Sequence, residues 1–165
     1  MDKPDAYGRM AYRSLIAWPE RLRREAPLLA RALAPAVGRA VLDLGCGSGE
    51  HSRLLRELGF DPTGVDRSES QLAAARGADP SGRYVAADLT GLGDLAPHAG
   101  AICVGNTLPH LTEAEQVRSC LEGLARILEP GAPFLLQTLN YDRILARGER
   151  VFPLVVRPGE AAGEE

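Results

Sequence analysis

The sequence is poor in cysteine, lysine and aromatic residues. Its three cysteines, Cys46, Cys103 and Cys120, lie far apart and form no C-x-x-C pair, so they indicate neither a disulfide framework nor a zinc site. Lys3 is the only lysine, and the net charge is −3. This charge argues against a general nucleic-acid surface, and no nucleic-acid partner is expected.

Long hydrophobic runs are absent as well. No run in the sequence approaches the length of a membrane span, and the start, Met1 to Asp5, lacks the pattern of a signal peptide. We therefore expect a cytoplasmic protein with no membrane partner. The 165 residues, 45% apolar and 25% charged, fit one globular domain that buries about 70% of its unfolded surface.

The most informative stretch of the chain is A-V-L-D-L-G-C-G-S-G-E, residues 40–50. Its apolar start is typical of a buried parallel strand. Gly45, Gly47 and Gly49 allow a sharp turn against which a ligand can lie, and helical spacing begins after Glu50. Strand, glycine turn and helix predict free amides at the carboxyl end of a parallel sheet.

Four further strands are predicted at residues 62–66, 83–89, 99–105 and 133–139, with helices between them. We predict an α/β doubly wound, Rossmann-like, mostly parallel sheet with helices on both faces. Residues 1–157 would form the domain, with 1–36 as a helical lid, 37–157 as the α/β core and 158–165 as a disordered tail.

Local signals refine the helices. Pro19 suits a first helical turn, whereas Pro27 is predicted to interrupt or restart the same helix. A capping box is predicted at residues 112–115. Cys103 and Cys120 are predicted to lie in the core.

The D-x-G-x-G-x-G spacing of residues 43–49 differs from the G-x-G-x-x-G of dinucleotide-binding folds. It resembles motif I of the class I S-adenosylmethionine-dependent methyltransferases. The resemblance implies S-adenosylmethionine as cofactor over the first, second and fourth strands, at the topological switch point. It implies contacts from Asp43, Gly45, Cys46, Gly47 and Val104.

Acidic residues at two strand ends extend this prediction. Asp66 lies about 20 residues beyond the first glycine, where a carboxylate meets a ribose; capping the next helix is the alternative. Arg67, the next residue, is a further candidate for cofactor binding. Asp88 and Leu89 would contact the adenine, although a simple turn also explains Asp88.

The N-terminal segment supplies two more candidates. In methyltransferases this segment often closes over the cofactor, so the resemblance implies contacts from Tyr12 and Arg21. Arg21 would hold the cofactor's carboxylate, with an ordinary solvated helix face as the alternative.

Two segments narrow the resemblance to glycine and glycine/sarcosine N-methyltransferases. These are V-G-N-T-L-P-H at 104–110 and N-Y-D at 140–142, the latter followed by Ile144 and Leu145. Asn106 and Thr107 would face the sulfonium and the acceptor, and they would position the reactants together with Tyr141. His110, Asn140, Tyr141 and Asn106 would line the acceptor site. A structural histidine, and a helix cap at Asn140 with an anchoring tyrosine, are the alternatives.

The expected function is therefore methyl transfer to a small molecule, with an amine nitrogen as the acceptor and no metal. Three rivals are an NAD-dependent oxidoreductase, a nucleic-acid or protein methyltransferase, and an inactive domain that binds only cofactor or a partner. The last follows from the C-terminus, where only residues 151–157 can form a strand although class I sheets resemble a core finished by a two-stranded hairpin. We expect an incomplete hairpin and self-association through an open edge carrying Phe134, Leu135, Leu136 and Leu139.

Overall fold

The computed structural model describes residues 16–148, which form a five-stranded parallel sheet flanked by helices. The strands are β1 (Ala40–Leu44), β2 (Asp61–Asp66), β3 (Arg83–Ala86), β4 (Gly100–Cys103) and β5 (Phe134–Leu136). The helices are α1 (Trp18–Leu33), α2 (Glu50–Glu57), α3 (Glu69–Ala78), α4 (Ala114–Ile127) and α5 (Tyr141–Arg147). Two 3₁₀ turns span Leu89–Asp94 and Leu108–His110. Within this described range no helix is long and apolar enough to cross a membrane.

The strand order is β3-β2-β1-β4-β5, with every pairing parallel. The order reverses at β1, so the loops after β1 and β4 lie side by side at the carboxyl end of the sheet. This is the switch point at which doubly wound sheets bind ligands. The predicted fold class is confirmed.

Alternating side chains of β1 build a core on each face of the sheet. Leu42 and Leu44 pack into one cluster with Leu124 of α4. Val41 packs into another with Leu29 of α1 and Leu55 of α2. Successive side chains of a strand point to opposite faces of the sheet, as a strand buried on both faces requires. The same alternation turns Asp43 toward α2.

Two local predictions are wrong. α1 continues through Pro27 without a break. Pro27 is exposed, so the hydrogen bond that its ring removes is lost on the solvent side, while Leu29 and Leu33 anchor the buried side. The capping box lies one residue later than predicted, because Glu113 is the cap and its N–H donates to Gln116 Oε1 at 3.2 Å.

The predicted core positions of two cysteines are confirmed, because Cys103 and Cys120 are 1% and 2% exposed. Each packs among the leucines between β4 and α4. Burial raises the pKa of both thiols, so they stay protonated.

The outer edge of β5 differs in part from the prediction. Among the described strands β5 pairs only with β4, and Leu136 and Leu139 are exposed. Phe134 and Leu135 instead pack against the two cores. The strand predicted at 151–157 lies outside the described residues, and self-association through this edge stays a prediction.

Candidate functional site

The glycine turn after β1 is fixed by hydrogen bonds to the end of β2. The N–H groups of Gly45 and Cys46 both donate to Val65 O, at 2.7 and 3.1 Å. Gly49 N–H donates to Cys46 O at 2.9 Å. The prediction of free amides is wrong for these three groups, because the carbonyl of the neighbouring parallel strand takes the first two and the turn itself takes the third.

Asp66 joins the glycine turn to the start of α3. Its Oδ2 accepts from Gly47 N–H and its Oδ1 from Ser68 N–H, each at 2.9 Å. Ser68, not Asp66, caps α3 by accepting from Gln71 N–H, so the capping alternative for Asp66 is wrong. Each Asp66 oxygen keeps a further lone pair, and the carboxylate remains partly exposed at the strand end. Such a group can accept hydrogen bonds from neighbouring ligand hydroxyls.

Asp43 lies beneath this turn and is 1% exposed. Its Oδ2 accepts from Ser52 Oγ of α2 at 2.6 Å. Burial raises the pKa of the Asp43 carboxyl; His51 and Ser52 oppose the shift, while the negative charges of Asp66 and Glu50 add to it. Asp43 therefore ties β1 to α2 from inside the protein.

Cys46 is also buried, in a cluster with Leu72, Ala75 and Tyr84. Burial raises the pKa of its thiol, and the charges of Asp43 and Asp66 add to the shift. Any contact of Cys46 with a ligand would have to come from its backbone, because its side chain fills the core between β3 and α3.

Asp88 and Leu89 follow β3. Asp88 Oδ1 accepts from Thr90 N–H at 2.9 Å and from Thr90 Oγ at 2.7 Å, and the first of these bonds lowers the pKa of the carboxyl. One Asp88 oxygen thus forms the predicted turn, and the residue is exposed. Leu89 packs against the core. Arg67, directly after Asp66, is exposed, and its charge further lowers the pKa of Asp88.

The loop after β4 closes against the glycine turn. Gly105 and Asn106 have positive φ angles of 74° and 65°. Gly105 N–H donates to Gln137 Oε1 at 2.8 Å, and Thr107 Oγ donates to Val104 O at 2.9 Å. A Cβ atom at Gly45 would collide with the Thr107 side chain. The two loops of the switch point are therefore in direct contact.

Asn106 and Tyr141, 35 residues apart, meet at the end of β5. The Asn106 Nδ2 donates to the Tyr141 hydroxyl at 2.7 Å, and that hydroxyl lies 3.0 Å from Oδ1, to which it donates. Leu139 N–H donates to the same Oδ1 at 3.1 Å, which fixes the amide orientation because a backbone N–H can only donate. The structure brings these two predicted residues together, with Thr107 adjacent.

The two other predicted acceptor residues lie in the loop after β4 and at the start of α5. Asn140 Oδ1 accepts from Arg143 N–H at 2.9 Å and caps α5, as its alternative reading predicted. His110 ends the second 3₁₀ turn and is exposed. Their contacts with an acceptor stay predictions.

α1 brings Arg21 to the same end of the sheet. A Cβ atom at Gly105 would lie 3.7 Å from Arg21 Nη2. Arg21 also contacts Trp18 and Glu25, and Glu25 contacts His51 of α2. Tyr12, the other candidate from this segment, lies outside the described residues.

Sequence reasoning missed three of these residues, namely Glu25, His51 and Gln137. A signal existed for Glu25, which follows Arg21 by four residues on a helix. Gln137 stood out only as a polar side chain beside an apolar strand. Nothing local indicated the partner of His51, because the contact spans 26 residues.

The comparisons identify the family. A family of methyltransferase domains matches residues 41–131. Together with the fold and the motif I turn, this match means that the chain belongs to the class I S-adenosylmethionine-dependent methyltransferases.

Individual relatives and structures agree with this assignment. A glycine/sarcosine N-methyltransferase from Parasynechococcus marenigrum is 32% identical over 83% of this chain and 51% of its own length. A ubiquinone biosynthesis O-methyltransferase from Thiobacillus denitrificans is 29% identical over 78% of this chain and 63% of its own. The glycopeptide N-methyltransferase MtfA, complexed with sinefungin, superimposes with a TM-score of 0.62 and 26% identity over 68% of this chain and 47% of its own. The chain spans about half the length of the glycine/sarcosine enzymes that it matches.

The described residues fit the family's cofactor, S-adenosylmethionine, at two points. Asp66 offers acceptor lone pairs where ribose hydroxyls would donate. Arg21 offers a cation at the switch point for a carboxylate.

Proposed function

We propose that this domain transfers a methyl group from S-adenosylmethionine to a small molecule, with an amine nitrogen as the acceptor. When bound, S-adenosylmethionine supplies the methyl group on a sulfonium that is already a good leaving group. The protein's task is then to fix the distance and angle between two reactants. In this proposal residues 1–36 form the lid and residues 37–157 the catalytic core.

Seven residues would hold the cofactor. Asp66 accepts from the ribose hydroxyls while Gly47 and Ser68 hold its carboxylate still. Arg21 binds the carboxylate of the amino-acid moiety. The exposed Asp88 oxygen and Leu89 contact the adenine, and the backbone of Gly45, Cys46 and Val104 completes the contact surface.

Asn106, Tyr141 and Thr107 would position the acceptor. The Tyr141 oxygen can accept from an amine N–H, and Asn106 Nδ2 keeps one hydrogen beyond its bond to Tyr141. These fixed dipoles can stabilise charge as it moves to the acceptor nitrogen. A neutral amine already carries its lone pair, so none of the three has to act as a strong base or as a nucleophile.

One observation supports this proposal more than any other. The Asn106–Tyr141 pair, held by Leu139 N–H, lies at the strand ends next to the glycine turn. The residues by which the chain resembles small-amine N-methyltransferases thus come together beside the cofactor motif, although they are far apart in sequence.

The test is transfer from labelled S-adenosylmethionine to a panel of amines, including glycine and sarcosine, and to a matched panel of phenols. We expect label in amines and binding of S-adenosylhomocysteine, but not of NAD, by calorimetry. Label in phenols alone would contradict the amine acceptor. Tight binding without transfer to any acceptor would favour the alternative of an inactive cofactor-binding domain.

A further inference from the structure

Four side chains of α1 and α2 form a closed ring beside the loop after β4. Arg21 Nε donates to Glu25 Oε1 at 2.9 Å, and His51 Nε2 lies 2.7 Å from Glu25 Oε2. The Cζ atom of Arg21 lies over the Trp18 ring, 5.1 Å from the ring centroid. The Trp18 and His51 rings meet edge to face with centroids 5.7 Å apart. Each member thus contacts the next, so none can turn without breaking two contacts.

Glu25 joins Arg21 to His51 in this ring. Burial raises the pKa of its carboxyl, but the hydrogen bonds and charges of His51 and Arg21 outweigh burial and hold the pKa below its usual value. Glu20, five residues earlier on the same helix, makes an exposed ion pair with Arg23. Glu25, with two partners and partial burial, therefore differs from an ordinary surface carboxylate such as Glu20.

The ring determines which edge of Arg21 faces the switch point. Its Nε donates to Glu25, and its Cζ lies over the Trp18 ring, 5.1 Å from the ring centroid. Its Nη2 points toward Gly105, at the loop after β4. Between residues 16 and 148 the Nη atoms of Arg21 donate no hydrogen bond, and the forked edge of a guanidinium has the geometry that binds a carboxylate.

We propose that Glu25 and His51 are positioning residues that hold Arg21 in the orientation in which it binds the carboxylate of the cofactor's amino-acid moiety. The inference rests on the proposed function, because it takes Arg21 as the carboxylate ligand. An arginine that is ordered before binding loses less side-chain entropy when the ligand arrives. Glu25 and His51 thereby raise affinity without touching the cofactor.

The experiment compares two ligands by calorimetry: S-adenosylhomocysteine, which has the amino-acid carboxylate, and 5′-methylthioadenosine, which lacks it. Glu25→Ala is expected to weaken the binding of S-adenosylhomocysteine about five- to tenfold. This is the cost expected when one long side chain has to be ordered on binding. The same variant should leave the affinity for 5′-methylthioadenosine unchanged. Glu25→Gln, which can still accept from Arg21 Nε, should restore most of the affinity, and Glu20→Ala is the matched control with no effect.

A second pair of variants tests whether Glu25 acts through Arg21. Arg21→Ala should abolish the preference for S-adenosylhomocysteine, and adding Glu25→Ala to it should change nothing further. Should Glu25→Ala fail to fold, His51→Phe carries the same test, because it keeps a ring against Trp18 and removes only the bond to Glu25.

The outcomes separate this inference from the proposed function. If Glu25→Ala lowered the affinity for both ligands equally, the positioning role alone would be overturned. The same would follow if the preference for S-adenosylhomocysteine depended on Arg21 but survived both Glu25→Ala and His51→Phe. A parent protein that binds neither ligand would overturn the proposed function itself.

Discussion

At the ends of β1 and β2 the site is held by buried groups and backbone N–H bonds, whereas at the ends of β4 and β5 it is held by exposed side chains. Asp43 is buried, and Asp66 accepts two backbone N–H bonds. The bonds that join Asn106 to Tyr141 and Leu139 are exposed. We call these the cofactor half and the acceptor half.

The difference concerns local stability. Hydrogen bonds among buried groups are expensive to break because the separated groups stay away from water. Exposed side-chain bonds exchange readily with water and stabilise a structure less. The cofactor half should therefore be rigid before any ligand binds, while the acceptor half opens more easily. This arrangement suits a site that uses one cofactor and has to admit and release an acceptor.

The largest effect is expected where the halves touch. Gly45→Ala should destabilise the fold by about 3 kcal/mol, because a left-handed alanine costs about 1–2 kcal/mol and the clash with Thr107 adds a similar amount. Gly131→Ala is the matched control, since Gly131 has a φ angle of 80° with no atom within 4 Å of the added Cβ. It should cost only the backbone part. Chemical denaturation of both variants measures the difference, and equal losses would mean that the two loops are not in tight contact.

The next effect concerns the cofactor half alone. Asp66→Ala should weaken S-adenosylhomocysteine binding by about 1.5–3 kcal/mol, the scale of hydrogen bonds to a charged group. Asp61→Ala removes a carboxylate from the other end of the same strand, where Asp61 makes an exposed ion pair with Arg39. Calorimetry should show no change for Asp61→Ala. Unchanged affinity in Asp66→Ala would contradict the ribose assignment.

A matched pair of tyrosines then compares the halves, since Tyr84 packs in one cluster with Cys46 of the cofactor half. Tyr141→Phe should lower methyl transfer about tenfold, through loss of one hydroxyl at the acceptor. Cofactor affinity and the free energy of unfolding should hardly change, because the lost bonds are exposed. Tyr84→Phe, which removes the buried bond to Asp79 Oδ2, should instead cost about 1 kcal/mol of stability and leave transfer unchanged. Equal changes in both properties for both variants would remove the distinction between the halves.

The same division describes what the sequence could predict. The strand, glycine turn and helix of the cofactor half are contiguous, so periodicity and glycine placement locate them. Asp66 follows because the end of the second strand is readable. What periodicity could not provide is the register between strands, and that register delivers Val65 O to the amides of Gly45 and Cys46.

The acceptor half was predicted as separate segments, without their contacts. The resemblance indicated Asn106 and Tyr141 individually, but their bond spans 35 residues. Gln137 and Gly105 are 32 residues apart. The helix break predicted at Pro27 was wrong for a related reason. Burial of α1 against the core outweighs a local signal that breaks isolated helices. The cap at Glu113 was missed by one residue, because helix ends fray and a local pattern locates a helix boundary only to within one or two residues.

The smallest effect is expected from removal of metal ions. Both Asp66 oxygens and one Asp43 oxygen already accept hydrogen bonds from protein groups, and the acceptor half offers an amide and hydroxyls, which bind cations weakly without carboxylates. Within residues 16–148 no group of three or more acidic, histidine or cysteine side chains is placed to hold an ion. Methyl transfer and S-adenosylhomocysteine affinity should be equal in excess chelator and in magnesium. Loss of both with chelator, restored by magnesium, would mean that a cation rather than backbone N–H groups organises the carboxylates of the cofactor half. Loss of transfer alone would place the cation in the acceptor half.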